Sequence, residues 1–136
     1  MKIPILYLIS MLIFSFIGCE SGNKIKNIKV SYIDWDIDSP IRIQCNDLKN
    51  YQKSLVTIDT SDKTFCRSIA KELRLITEIE TTDEPDVRIR LDILFQNDSE
   101  SILCLGNNEV MEYNGKIVKY NKRLLALIRE YIDKEH

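Results

Sequence analysis

The side chains able to do chemistry are few and scattered along the chain. The one histidine is His136, the last residue, so no internal imidazole can act as a general base or build a His-rich metal centre. Asp34, Asp36 and Asp38 alternate, the spacing with which a calcium loop begins. That loop also needs Gly at its sixth place and an acidic ligand at its twelfth, where Ser39 and Cys45 stand. The polar edge of a strand end is expected there instead, with Trp35 and Ile37 pointing the other way. Cys45, Cys66 and Cys104 lie 21 and 38 residues apart, which fits no zinc pattern. Gly106 and Gly115 are isolated turn glycines rather than a phosphate-cradling loop, and no serine sits in a nucleophile-elbow sequence. The expectation is no catalytic residue, no metal ligand set and no cofactor. Two charged groups deserve separate readings. Glu78, Glu80, Asp83, Glu84 and Asp86 form an acidic run, either a solvated loop or a complement to a basic partner. Arg88, Arg90 and Asp92 alternate on the wet side of a strand, serving solubility or forming a polar recognition stripe.

Composition sets the bounds. A hydrophobic fraction of 44% with 29% charged residues belongs to a folded chain, and 136 residues make one ordinary domain. A net charge of −2 gives no general case for nucleic-acid binding.

The first residues stand apart from the rest. Lys2 precedes an apolar run from Ile3 to Ile17, 15 residues long and short of the roughly 20 that cross a bilayer as a helix. That length fits a secretory h-region. The run ends at Phe16-Ile17-Gly18-Cys19, and polar sequence follows at once. A small residue directly before Cys at the end of such a run resembles the lipobox of bacterial lipoprotein precursors; the resemblance covers residues 1–19 only. It implies a diacylglyceryl group on the Cys19 sulfur, cleavage after Gly18, and a new amine open to acylation. Two or more acyl chains anchor stably where one does not. Residues 1–18 are then a signal peptide, 19–24 a lipidated Cys and short tether, and 25–136 a single domain. Cleavage leaves 118 residues and, with Lys2 gone, a net charge of −3. That overall sign argues against a basic face docked on anionic lipid.

An exported chain meets conditions in which disulfides form. Cys45, Cys66 and Cys104 all have apolar neighbours, so three buried free thiols are the first expectation. One disulfide with one thiol left over is the alternative.

The patterning predicts an α+β domain. Residues 25–35 and 40–45 alternate as strands around Asp38-Ser39-Pro40 and form an opening hairpin. Residues 46–53 hold one or two short helical turns with Leu48 and Tyr51, and Leu55–Ile58 is a short β-rich run. A helix follows, capped by Ser61 with Asp62 in its first turn, its stripe being Phe65, Cys66, Ile69, Leu73 and Ile76. Lys63, Arg67, Lys71, Glu72 and Arg74 take its solvent side. Residues 87–95 alternate strictly, with Val87, Ile89, Leu91, Ile93 and Phe95 on the covered face. Ser101–Leu105 is the next strand. A hairpin through Asn114-Gly115 follows, pairing Glu109 with Tyr120, Met111 with Val118 and Tyr113 with Lys116. Asn121 caps a final helix, with Leu124, Leu125, Ile128, Tyr131 and Ile132 as its apolar face. The architecture expected is a four-stranded antiparallel meander with two main helices on one face.

These features lead to one expectation of role. The chain is read as a membrane-anchored lipoprotein of the bacterial cell envelope, its mature domain outside the cytoplasm and held to the membrane through lipid on Cys19. It is non-catalytic and binds another protein there, an immunity or inhibitor role being one concrete version. The alternative is a small-ligand-binding or envelope-housekeeping lipoprotein. No nucleic-acid partner is expected.

Overall fold

The computed structural model describes residues 24–106, 108 and 110–136. The segment expected to be a signal peptide, Cys19, and the partner expected for Tyr120, Glu109, lie outside the described residues. Among the described residues, six strands and two α-helices follow one another as β1 (Ile25–Tyr32), β2 (Val56–Thr60), α1 (Lys63–Leu73), β3 (Val87–Phe95), β4 (Glu100–Gly106), β5 (Val110–Tyr113), β6 (Lys116–Lys119) and α2 (Lys122–Glu135). The strands form a single sheet in the order β2-β1-β3-β4-β5-β6, and every neighbouring pair is antiparallel. The fold is α+β. Strands β3 to β6 are the meander; β1 and β2 extend it beyond β3.

Alternation along the strands decides the sheet's first face. Ile89 pairs with Leu105, Leu105 with Met111 and Met111 with Val118. These four make one apolar row across four strands, because residues opposite each other in a ladder share a face. Together with Ile28, Val30, Leu91, Ile93 and Leu103 they join Phe65, Cys66 and Ile69 of α1 and Leu124, Leu125, Ile128 and Ile132 of α2 in one buried cluster. The helices are fastened to each other as well as to the sheet. Phe65 stacks on Tyr131 at 4.0 Å between ring centres, and the Tyr131 hydroxyl donates to Thr60 at 2.7 Å.

Both helices start on side-chain caps. Asn121 Oδ1 accepts from Arg123 N and Leu124 N, as its sequence position predicts. In α1 the cap is Asp62, which accepts from Phe65 N at 2.8 Å, one residue later than the expected Ser61. The helix also stops at Leu73, so Ile76 of the expected stripe lies beyond it. Glu72, placed on the solvent side by its charge, is buried. It accepts from Asn121 Nδ2 at 3.0 Å and lies 3.8 Å from Arg123, which ties the last turn of α1 to the start of α2.

Two further expectations change. Residues 40–45 are not a strand, and no opening hairpin forms. The alternation there is a burial signal: Ile43 and Cys45 are covered while Ile41 is 73% exposed. Pro40 has no N–H to give to a ladder. The segment from 33 to 55 instead crosses the sheet's second face. It brings Ile33, Ile43, Cys45 and Leu48, the last in a 3-10 turn at Leu48–Asn50, onto Val87 and Cys104. Val87 belongs to this second cluster because a register shift between Val87 and Ile89 breaks the strict alternation of β3. A bulge inserts one residue and so reverses which face its neighbour meets.

The ends of the sheet differ. The stretch after α1 runs along the outer side of β6, with Ile79 N donating to Ile117 O at 3.1 Å and Lys119 N to Thr77 O at 2.8 Å. The β5–β6 turn holds Asn114 and Gly115 at positive φ, 51° and 80°, the pair of angles a type I′ hairpin demands. Gly106 is required for a different reason. A Cβ there would sit 2.1 Å from the Asp86 carbonyl oxygen, so only glycine lets the end of β4 pass the start of β3.

Candidate functional site

The second face of the sheet is where the charged residues singled out in the sequence converge. Its foundation is Arg88, which the register shift turns inward and which is 2% exposed. The guanidinium donates to Asp86 Oδ1 at 2.8 Å, to Val87 O at 3.2 Å and to Ile37 O at 3.1 Å. Its Nε is buried and makes no hydrogen bond. Asp86 Oδ1 also accepts from Ile43 N at 2.9 Å. One ion pair therefore holds the crossing segment at two points, Ile37 and Ile43. Arg90 holds it at a third: it pairs with Asp92 at 2.8 Å and donates to Cys45 O at 3.2 Å and Asn46 Oδ1 at 3.3 Å. Arg88 is thus neither solubilising nor displayed for recognition, and Arg90 is half-buried. They clamp the backbone that covers them.

A covalent bond reinforces the clamp. Cys45 and Cys104, 59 positions apart in sequence, form a disulfide with 5.7 Å between their Cα atoms. Three free thiols, the first expectation, give way to one bridge and one buried thiol, Cys66. Burial pushes the Cys66 thiol up from its ordinary range, and the Asp62 carboxylate adds to the effect. A thiol held protonated and covered is a poor nucleophile. Alkylation of the native protein at neutral pH is therefore expected to leave Cys66 unmodified. Denaturation without reductant should then expose one reactive thiol within residues 24–136. Peptide mapping that finds label on Cys45 or Cys104 would contradict the pairing.

Beside the bridge lies an open cleft of about 510 Å³, walled by Gln44 to Asn46, by Thr81 to Pro85 and by Glu112 and Ile117. Asp83, Glu84 and Glu112 contribute three carboxylates to its lining, and the lining holds no Lys or Arg. The acidic run thus divides by role. Asp86 is taken into the clamp, and Glu78 pairs with Lys116 at 3.6 Å along the sheet edge. Asp83 and Glu84 stay at the cleft. Their loop is held in shape by Asn108, whose Nδ2 donates to Glu84 O at 2.7 Å and whose Oδ1 accepts from Asp86 N at 3.0 Å. Arg42 meets Glu84 at 3.4 Å at the rim.

The remaining candidates fall elsewhere. Asp34, Asp36 and Asp38 are exposed around a turn in which Asp34 Oδ1 accepts from Asp36 N at 3.0 Å. Trp35 and Ile37 turn the other way, each into one of the two clusters, and Arg129 stands 5.1 Å over the Trp35 ring. His136 pairs with the Tyr32 hydroxyl. Tyr113 and Tyr120 pack against the first cluster rather than standing free on the hairpin. Among the described residues one trio of possible metal ligands converges, Cys45, Cys104 and Glu112 within 4.8 Å of one another. Two of those donors are already joined sulfur to sulfur, which leaves a single carboxylate. Among the described residues no helix is long and apolar enough to cross a membrane.

Sequence reasoning missed Arg88, Glu72 and Asn108 as organising residues. For Arg88 a signal existed: Gly106 and the Asn107-Asn108 pair sit opposite the start of β3 in the expected meander, a composition that suits close backbone approach and irregular pairing. The chain gives no significant match to any protein-family model, curated protein or solved structure.

Proposed function

We propose that this chain is a small lipoprotein, anchored through Cys19 to a membrane of the bacterial cell envelope, whose domain binds another protein without catalysis, as an immunity or inhibitor protein does. The observation that carries the reading is the acidic cleft. Three carboxylates line it, of which Glu84 is paired with Arg42 and Asp83 and Glu112 have no cation among the lining residues, on backbone fixed by a disulfide and two arginine clamps. A surface fixed in advance loses little conformational freedom on binding. Clustered charge of one sign favours a basic partner and speeds encounter. A lipid leash would raise the local concentration of the binder at the membrane where that partner arrives.

The test uses full-length chain expressed in a bacterium. Metabolic labelling with a fatty acid should mark the wild type and be lost in Cys19→Ala. Capture on the lipidated protein should then recover a basic envelope protein. Asp83→Lys with Glu84→Lys should weaken that capture by about tenfold or more, since like charges face each other in the variant. Equal capture by wild type and variant would remove the cleft from the reading. A soluble, unprocessed, unlabelled product would remove the anchor.

A further inference from the structure

The charge of this domain is not spread evenly. A groove of about 640 Å³ runs between α1 and the start of β1, and its lining includes Lys24, Lys26, Lys63, Arg67, Lys71 and Arg74 with no carboxylate among the lining residues. All six cations are exposed. The nearest counter-charges are at its ends: Asp98 stands 4.0 Å from Lys26, and Asp62 is engaged in capping α1. Glu72, the acidic residue within α1, faces α2 instead. A net charge of −3 after cleavage therefore conceals a strongly basic surface, and the case against lipid docking made from the total does not hold locally.

The shape and position of this surface say what it meets. Lys63, Arg67 and Lys71 recur at helical spacing along one side of α1 and Arg74 continues the row at its C-cap, a stripe about 16 Å long at 1.5 Å per residue. A single small anion would engage one end of such a stripe; an extended array of phosphates would engage all of it. Lys24 is five residues from Cys19 in the sequence, and five residues reach about 18 Å at most when fully extended. With Cys19 acylated, the start of β1 is held within that distance of the headgroups.

We propose that this groove seats the domain on anionic phospholipid headgroups, Lys24 and Lys26 entering first and the α1 stripe lying along the surface. The proposal rests on the anchoring through Cys19 proposed above. Its consequence is orientation. The groove is on the helix side of the sheet, with Ile25 and Cys66 of the first cluster in its wall. The acidic cleft is on the other side, where Gln44 to Asn46 cover the sheet and Glu112 alternates with the core residue Met111. Docking by the groove turns the cleft away from the bilayer, toward an arriving protein, and keeps its carboxylates clear of anionic lipid.

The experiment takes the mature lipoprotein, purified in detergent and reconstituted on vesicles of phosphatidylcholine alone or with phosphatidylglycerol added. Two readouts are taken: flotation with the vesicles, and the rate at which individual lysine amines react with a soluble acylating reagent. Flotation on both compositions reports the anchor. Amines of Lys26, Lys63 and Lys71 should react at least about fivefold more slowly on the anionic vesicles, the effect of one basic residue near such a surface. Lys119, on β6 at the far side of the sheet, should be unchanged, and added salt should restore the rates. In Lys63→Glu with Arg67→Glu, Lys71 and Lys26 should lose that protection, with the circular dichroism of the variant unchanged. Equal rates on both compositions, in protein that floats on both, would overturn the docking and leave the anchor intact. Equal protection by inorganic phosphate on phosphatidylcholine vesicles would assign the groove to a free anion and overturn it too. Flotation on anionic vesicles only would overturn the anchor while supporting the groove, and flotation on neither would overturn both.

Discussion

Asp86→Ala is expected to cost the domain about 3 kcal/mol, the low end of the loss on removing one partner of a buried ion pair, because Arg88 is covered while the Asp86 side chain is 23% exposed. The size follows from what is left behind. The Arg88 guanidinium is left at 2% exposure, with only the carbonyls of Val87 and Ile37 to accept from it. Its Nε already lacks a partner. The Ile43 N–H loses its acceptor as well, and an unpaired buried donor adds its own desolvation penalty. Asp86→Asn retains an oxygen for Ile43 N but not the charge, so it should fall between wild type and Asp86→Ala. Replacing Arg88 and Asp86 together by Met and Leu should recover part of the loss, because no uncompensated charge remains. Urea denaturation checks all three, as a shift of midpoint at constant slope. A loss for Asp86→Ala below about 1 kcal/mol, the range of exposed pairs, would mean that water reaches the guanidinium.

Removing the Cys45–Cys104 bridge should have a comparable effect by a different route. Closing a loop of 59 residues restricts the unfolded chain by about 4 kcal/mol in the chain-entropy account. Cys45→Ala with Cys104→Ala should lower the denaturation midpoint accordingly, and a dithiol reductant should lower the wild-type midpoint without moving that of the variant. The loss should also be local in the folded state. Hydrogen exchange is expected to quicken across residues 37–55, which depend on the bridge and the two arginines. Amides of β1 and β3, each paired on both sides, should exchange as before. Uniform quickening throughout the sheet would show that the crossing segment is integral to the main core.

The two predictions concern the part of the molecule that the sequence concealed most. Asn121, Asn114-Gly115 and the apolar positions of β3, β4, β5 and α2 were legible because each is set by local geometry: a cap, a positive φ, a repeat of 2 or 3.6. Residues 40–45 misled because period two reports burial on one side and not the identity of the cover. A segment lying across a sheet, without pairing, alternates like a strand. Arg88 misled because one bulge inverted the parity of β3 at Val87, and a charged residue type is rarely fully covered. Glu72 was hidden in the same way, since its partner Asn121 lies 49 positions later. Pairing among three cysteines is a matter of tertiary distance, which spacing does not encode. Of the acidic run, the sequence showed the charge. Only the fold separates Asp83 and Glu84 at the cleft from Asp86 in the clamp.

Sulfur–sulfur links form and persist chiefly in oxidising compartments. For a chain translocated before it closes, the wrap over the second face would be locked only on arrival. A precursor still in reducing surroundings would lack that latch and be the easier to unravel and thread through a narrow channel. Once the thiols have joined, the same segment resists being pulled apart, so the redox difference between two sides of a membrane would act on the polypeptide as a ratchet.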